Sequence, residues 1–150
     1  MLKGINPILT GDLLKVLSDM GHGDEIVIAD GNYPAMAHSF RRPPILVPSS
    51  DTVEVLDAIL DVLPVDDRPN SVGYIVEAPH GRERPRQATI PVPSFAKAGL
   101  NVGHVGAVPR GEFYARAKRA YAIVATMDPR HYFCYVLRKG ALPDPTTEGD

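Results

Sequence analysis

The chain has 150 residues, a formal charge of -2 and one cysteine, a size that suits one domain with one core. Lys and Arg number 16 against 18 Asp and Glu, so charge gives no case for a nucleic-acid or membrane partner, and a single Cys excludes an internal disulfide and a Cys-rich zinc site. Hydrophobic residues at 44% and charged residues at 23% match ordinary globular usage, and no apolar run approaches the ~20 residues of a membrane span. Met1-Leu2-Lys3-Gly4 has no apolar signal core, so a soluble, cytoplasmic protein is expected. The 15 prolines predict much backbone in turns and stiff loops.

Thr10-Gly11-Asp12 offers N-capping oxygens, and Leu13, Leu14, Val16, Leu17 and Met20 recur at helical spacing. Gly21 is the expected helix stop, in a left-handed conformation. Glu25–Ala29 is short, β-branched and continuously apolar, which predicts a strand buried on both faces. Asp30-Gly31-Asn32-Tyr33-Pro34 then calls for a turn. Ile45-Leu46-Val47 predicts a second strand. Asp51 with Glu54 reads as a capping box opening a helix whose Val55, Leu56, Ile59, Leu60 and Leu63 face inward.

Val72–Val76 predicts a third strand. Residues 78–93 are rich in Pro and Arg without periodicity, so a surface loop is expected, its Arg82-Glu83-Arg84-Pro85-Arg86 cluster solvated. A short helix follows at Ser94–Ala98, and a strand at His104–Val108. Glu112–Ala120 predicts a helix with Phe113, Ala117 and Tyr121 on one side and Glu112 spaced to pair with Arg116. Tyr121–Thr126 and Tyr132–Leu137 predict the last two strands. Strands alternating with helices argue for an α/β single-domain three-layer sandwich, a mixed, mainly parallel sheet flanked by helices, over residues 1–140. Residues 141–150 read as a disordered tail.

Several reactive patterns are missing from the sequence: there is no G-x-S-x-G elbow, phosphate loop, G-x-G-x-x-G or H-E-x-x-H. The histidines, at 22, 38, 80, 104 and 131, have no familiar metal-ligand spacing. Three positions carry chemical promise. His22, between Gly21 and Gly23, sits on bare backbone where a ligand can approach, and its ring both gives and takes protons near neutrality. The alternative is an exposed turn histidine. Asp30 follows a buried strand, at the end where ligands bind in α/β sheets; the alternative is a turn-forming Asp. Arg110 precedes a helix whose dipole it opposes, which points to a ligand or a carboxylate holding it, against a merely solvated Arg.

Met1 to Pro7, Leu13 to Leu17, Met20-Gly21-His22-Gly23-Asp24-Glu25-Ile26 and Asp30 to Pro34 resemble the L-fucose mutarotase / D-ribose pyranase family. Arg110, Phe113-Tyr114, Arg116-Ala117, Ala120 to Thr126, Tyr132 and Leu137 to Gly140 agree with it. The resemblance covers both ends of the domain but not residues 64–105 in detail. Gly23-Asp24-Glu25 is nearer the fucose branch.

The resemblance implies interconversion of the anomers of a free monosaccharide without cofactor or metal. His22 matches the family's proton donor, and Asp30 and Arg110 match substrate-binding positions. Tyr132 matches the first residue of the family's closing Tyr-Gly-Asn or Tyr-Ala-Asn motif. Phe133 and Cys134 depart from it, and Cys134 stands where the family's Asn meets the sugar. The family also implies a ring-shaped homo-oligomer, such as a decamer, with sites near subunit contacts. Ring opening needs one group to take the anomeric proton and another to protonate the ring oxygen, work within reach of a histidine with a carboxylate or water. A non-catalytic sugar-binding or regulatory member, or a pyranase acting on ribose, are the alternatives.

Overall fold

The computed structural model describes residues 1–77 and 85–146. In chain order the elements are α1 (Gly11–Asp19), β1 (Glu25–Ala29), α2 (Ala35–His38), β2 (Ile45–Leu46), α3 (Thr52–Leu60), β3 (Val72–Val76), α4 (Arg86–Thr89), α5 (Val92–Lys97), a 3-10 turn at Val102–His104, β4 (Gly106–Pro109), α6 (Arg110–Arg119), β5 (Ala122–Ala125) and β6 (Tyr135–Arg138). Thr10 caps α1 by accepting the Leu13 amide at 3.3 Å. At its other end Lys139 Nζ donates to the Leu17 and Met20 carbonyls at 2.7 and 2.6 Å, satisfying groups that a helix end leaves unpaired.

The six-stranded sheet runs β2-β5-β1-β6-β3-β4. Pairs β1–β5, β2–β5 and β3–β4 are parallel, whereas β6 is antiparallel to both β1 and β3. Only β6 is therefore reversed, and the C-terminal ends of the other strands share one edge with the N-terminal end of β6. Alternation along the strands divides the interior in two. Ile26, Ile28, Val124, Tyr135 and Leu137 pack with Leu13 and Leu17 of α1, Val55, Leu56 and Ile59 of α3 and Phe95 of α5. Val27, Ala29, Ile123 and Val136 turn to the opposite face, against Phe113 and Ala117 of α6. Both faces of β1 are covered, which is why its sequence reads as an unbroken apolar run instead of alternating. This is the expected three-layer α/β sandwich with a mixed, mainly parallel sheet. The tight β3–β4 seam needs Gly73, where an added Cβ would lie 2.6 Å from Val108 Cγ2.

Several local expectations change. Helix α1 ends through Met20, and the left-handed residue is Gly23, with φ 92°, not Gly21. The capping box is half-formed: Asp51 accepts the Val53 and Glu54 amides at 2.9 and 3.4 Å. The side chain of Glu54 is bound instead by Ser49 Oγ at 3.0 Å. The expected loop at 78–93 holds α4 and the start of α5, anchored by buried Gln87 and Ala88; residues 78–84, with His80 and most of the Arg cluster, lie outside the described residues. Arg116 does not pair with Glu112. It crosses to Glu25 and to the Asn70 carbonyl, because its α6 position faces the sheet and not solvent. The closing strand starts at Tyr135, three residues late, because Tyr132 has φ 62° and breaks the extended run. Residues 141–146 are exposed and form no helix or strand.

Candidate active site

Four of the five residues singled out in the sequence meet at one edge of the sheet. Asp30 follows β1, Arg110 follows β4, and Tyr132 and Cys134 lie just before β6. They line a cavity of about 350 Å³ together with Asn32, Tyr33, Ile75, Tyr114 and His131. That volume lies at the lower end of the range of small-molecule sites. The edge is the one at which the parallel strands end, where an α/β sheet leaves a crevice.

Asp30 is 6% exposed, and its carboxylate is fixed from two sides. Its Oδ1 accepts the Asn32 amide at 2.9 Å, which is the turn-forming contact expected of an Asp here. Its Oδ2 faces Cys134 Sγ at 3.3 Å, within reach of the thiol proton, and the Asp30 amide donates to the same sulfur at 3.3 Å. The turn contact leaves further lone pairs on the carboxylate and so does not exclude a ligand contact. Burial and the neighbouring Asp30 charge push the Cys134 thiol well above its usual range, so it stays protonated and a donor.

Arg110 is the first residue of α6, and Glu77 at the end of β3 faces it at 3.4 Å. That carboxylate explains a cation at the positive end of a helix dipole. Both side chains are about half exposed, 51% and 48%, so the pair is weak and leaves guanidinium donors for a ligand.

The segment before β6 is clamped. Asp128, fully buried, accepts from Thr52 N and Oγ1 at 2.9 Å each and from Arg130 Nη2 at 2.7 Å. Burial alone would raise the Asp128 pKa, but these hydrogen bonds outweigh it and hold the carboxyl down at about 2. The Arg130 guanidinium lies 3.8 Å over the Phe133 ring, a cation–π contact. Phe133 is thus buried under Arg130 and does not line the cavity.

His22 is elsewhere. Asp30 leaves the C-terminal end of β1, whereas His22 stands ahead of its N-terminal end. The strand alone puts roughly 13 Å between its own ends at ~3.3 Å per residue. His22 borders a separate, largely apolar groove with Leu14, Leu17, Val62, Pro64 and Leu142. Gly23 holds the turn through its amide bond to the Lys139 carbonyl at 2.9 Å. Asp66 is electrostatically close to His22, and its carboxyl sits below the usual range mainly through the Arg68 hydrogen bond. One chain does not bring His22 to its own cavity.

Four polar or aromatic cavity residues escaped the sequence reading. Asn32 and Tyr33 belong to the turn after Asp30, Tyr114 follows the inward Phe113, and His131 precedes Tyr132. Proximity to Asp30, Phe113 and Tyr132 was the available signal, but which side chains face a crevice depends on how the ends of the strands line up. Among the described residues, no three His, Cys, Asp or Glu side chains are grouped so as to hold a metal ion, and no helix is long and apolar enough to cross a membrane.

The family model of the RbsD / FucU transport protein family matches residues 3–142. The chain belongs to this family. It is 37% identical over 145 residues to the fucose mutarotase of Homo sapiens, covering 94% of each chain. It is 37% identical over 150 residues to the L-fucose mutarotase of Glaesserella parasuis, covering 95% of this chain and 97% of that one. The crystal structure of the fucose mutarotase of Streptococcus pneumoniae in complex with L-fucose superposes with a TM-score of 0.83 at 34% identity, over 95% of this chain and 100% of that one. The RbsD / FucU membership thus spans nearly all of the chain and both walls of the cavity.

Proposed function

We propose that the protein is a monosaccharide mutarotase, a cofactor-independent isomerase that interconverts the anomers of a free, L-fucose-like pyranose. One observation carries this reading: the buried, ionisable Asp30 lies in a sugar-sized cavity at the strand ends, in a chain alike along its length to fucose mutarotases. Asp30 accepts hydrogen bonds from sugar hydroxyls, and Arg110 and Tyr132 donate to others; charge-assisted bonds of this kind fix a polar ligand's orientation.

The anomeric hydroxyl loses its proton as the ring C–O bond breaks and the ring oxygen is protonated, giving the open aldehyde. Rotation about the bond to the carbonyl carbon and re-closure on the other face give the second anomer. Overall no atom is gained or lost, so one acid and one base are sufficient. His22 suits the acid role chemically. Since it stands at the far end of β1, that role requires the cavity of one copy to meet the His22 groove of another. Two different surfaces would then pair head to tail, which closes into a ring when the rotation allows. A cytoplasmic homo-oligomeric ring with sites at the subunit contacts is therefore part of the proposal.

Magnetisation exchange between anomer signals in NMR, over a panel of free aldoses, tests the reading. Acceleration on L-fucose or a relative, unchanged by EDTA, is the expected result; no acceleration on any aldose overturns it. A second reading has one observation behind it. Cys134 stands where the family pattern has Asn, and its thiol is engaged with Asp30. A member that binds sugar without converting it would show saturable binding and no acceleration. Sedimentation of the full chain tests the assembly, and a monomer at micromolar concentration would remove the two-copy site.

A further inference from the structure

Tyr33 and His38 have no part in the acid–base scheme above, yet they form a part-buried polar contact at the cavity wall. The loop after Asp30 brings Tyr33 to the cavity, and α2 returns His38 behind it. The Tyr33 hydroxyl and His38 Nδ1 are 2.9 Å apart. His38 is only 8% exposed. Rings of α6 enclose the pair: Tyr114 lies 4.7 Å from His38 and 5.5 Å from Tyr33, edge to face, and Phe113 lies 5.9 Å from Tyr33. Edge-to-face rings at these separations fix one another's orientation, so the Tyr33 ring has little freedom to swing.

The charged and titratable groups around the pair are few. Asp30, Cys134 and Tyr114 lie near the phenol, and Lys118 of α6 lies near the imidazole. Burial first, and then Lys118, hold His38 below the usual imidazole range, so it is neutral near pH 7. Burial likewise raises the Tyr33 phenol, which stays protonated. A neutral imidazole has one ring nitrogen that donates and one that accepts.

We infer that Tyr33 is a sugar-contacting residue whose O–H is taken up by His38 Nδ1, so that its oxygen offers the cavity only acceptor lone pairs. His38 acts through Tyr33 and is its positioning residue. The inference deepens the mutarotase reading and rests on it. It adds a specificity rule: one hydroxyl of the substrate must point at Tyr33 and donate. A substrate with hydrogen or fluorine at that carbon has no proton to give and leaves the Tyr33 oxygen unpaired.

The experiment measures dissociation constants for L-fucose and its monodeoxy and monodeoxyfluoro analogues at C2, C3 and C4, by NMR titration of the wild-type protein and of Tyr33→Phe. Anomer exchange is followed in the same samples. In the wild type, one carbon is expected at which the deoxy and fluoro analogues both bind about three- to tenfold more weakly, the worth of one neutral hydrogen bond. Tyr33→Phe, which keeps the ring packing, should weaken L-fucose by the same factor and erase that difference.

His38→Phe should act in the same direction, and His38→Gln, which keeps an acceptor, should restore most of the loss. His38→Phe should add nothing in a Tyr33→Phe background, since residues acting through one contact are not additive. Unchanged affinities in Tyr33→Phe overturn the inference while wild-type exchange leaves the mutarotase reading standing. A fluoro analogue that binds as well as L-fucose where the deoxy analogue does not would show Tyr33 donating, and overturns the acceptor assignment. Wild-type protein that neither binds nor converts any sugar overturns both readings.

Discussion

His22 and Asp30 stand at opposite ends of β1, the first ahead of Glu25 and the second just after Ala29. If both serve one sugar, the two come from different copies of the chain, and this can be tested by mixing. His22→Ala is expected to lower anomer exchange by about 10²–10⁴-fold, the usual worth of a positioned acid. Thermal stability should hold, because a solvent-side turn residue makes little of the core. Asp30→Asn should be nearly inactive as well. Co-expressed, the two variants should regain activity, because about one contact in four of a head-to-tail ring would join an intact His22 to an intact Asp30. Near wild-type exchange in His22→Ala would remove its role, and no recovery on mixing would argue that the two do not share a site.

Asp30→Asn also separates binding from folding. The amide oxygen can still accept the Asn32 amide that Oδ1 now accepts at 2.9 Å, so the turn survives. The charge is lost, and with it the charge-assisted bonds to the sugar, worth roughly 1.5–3 kcal/mol each. Affinity for the preferred sugar is therefore expected to fall by about 10–100-fold while the melting temperature moves by only a few degrees. Titration calorimetry beside a thermal melt reads both; unchanged affinity with severe unfolding would leave Asp30 a turn residue only.

Much of this arrangement was legible in the sequence, and what was not has a physical cause. Glu25–Ala29 and Val72–Val76 lie in the sheet interior, where continuous apolar runs report burial directly, and both strands have the expected bounds. Thr10 and Asp51 cap the helices they were expected to cap. Elements fixed by long-range contacts were illegible. Arg116 looked like half of an i,i+4 surface pair, and only the packing of α6 onto β1 reveals Glu25 as its partner. Helix α4 is too short and too rich in Pro and Arg nearby to show a period, and Gln87 is buried because its Nε2 donates to the Ile75 carbonyl at 2.9 Å. The gathering of Asp30, Arg110, Tyr132 and Cys134 depends on the reversed direction of β6, which no local pattern encodes.

Stability toward acid should depend on Asp128. Its folded pKa of about 2 lies below the ordinary 3.8. A depressed carboxyl contributes stability that is fully present above its unfolded pKa and is lost as the pH falls through its folded pKa. The loss should therefore run from about pH 4 down to about pH 2, and amount to roughly 2 kcal/mol at ~1.4 kcal/mol per pKa unit. Urea unfolding at stepped pH checks it. Asp128→Asn should start less stable at pH 7, since it leaves the Thr52 donors without an anion and Arg130 with Asp51 alone, and should lose less than wild type between pH 4 and pH 2. Parallel acid limbs for the two proteins would place the acid sensitivity elsewhere.

Position 134 is expected to influence which sugar is preferred. Its thiol lies against the Asp30 carboxylate and its sulfur accepts the Asp30 amide, each at 3.3 Å, so both of its weak hydrogen-bonding capacities face Asp30 and neither is free for a sugar hydroxyl. An Asn at this position could hold Asp30 with one N–H and its carbonyl and still offer a second N–H to the cavity. Cys134→Asn is therefore expected to improve affinity for a sugar with a hydroxyl at that point by about three- to tenfold, the worth of one neutral hydrogen bond, and to reorder a panel of fucose, ribose, galactose and xylose. The cost is steric: Cys134 is 1% exposed, and a larger side chain in a filled site commonly costs 1–3 kcal/mol, so a melt must accompany the exchange assay. Cys134→Ser separates the two effects, because it keeps the size and the contacts with Asp30 but adds no second donor. It should leave the order of sugars as in wild type. If Cys134→Asn folds and the order of sugars stays the same, position 134 acts on Asp30 alone and has no voice in substrate choice.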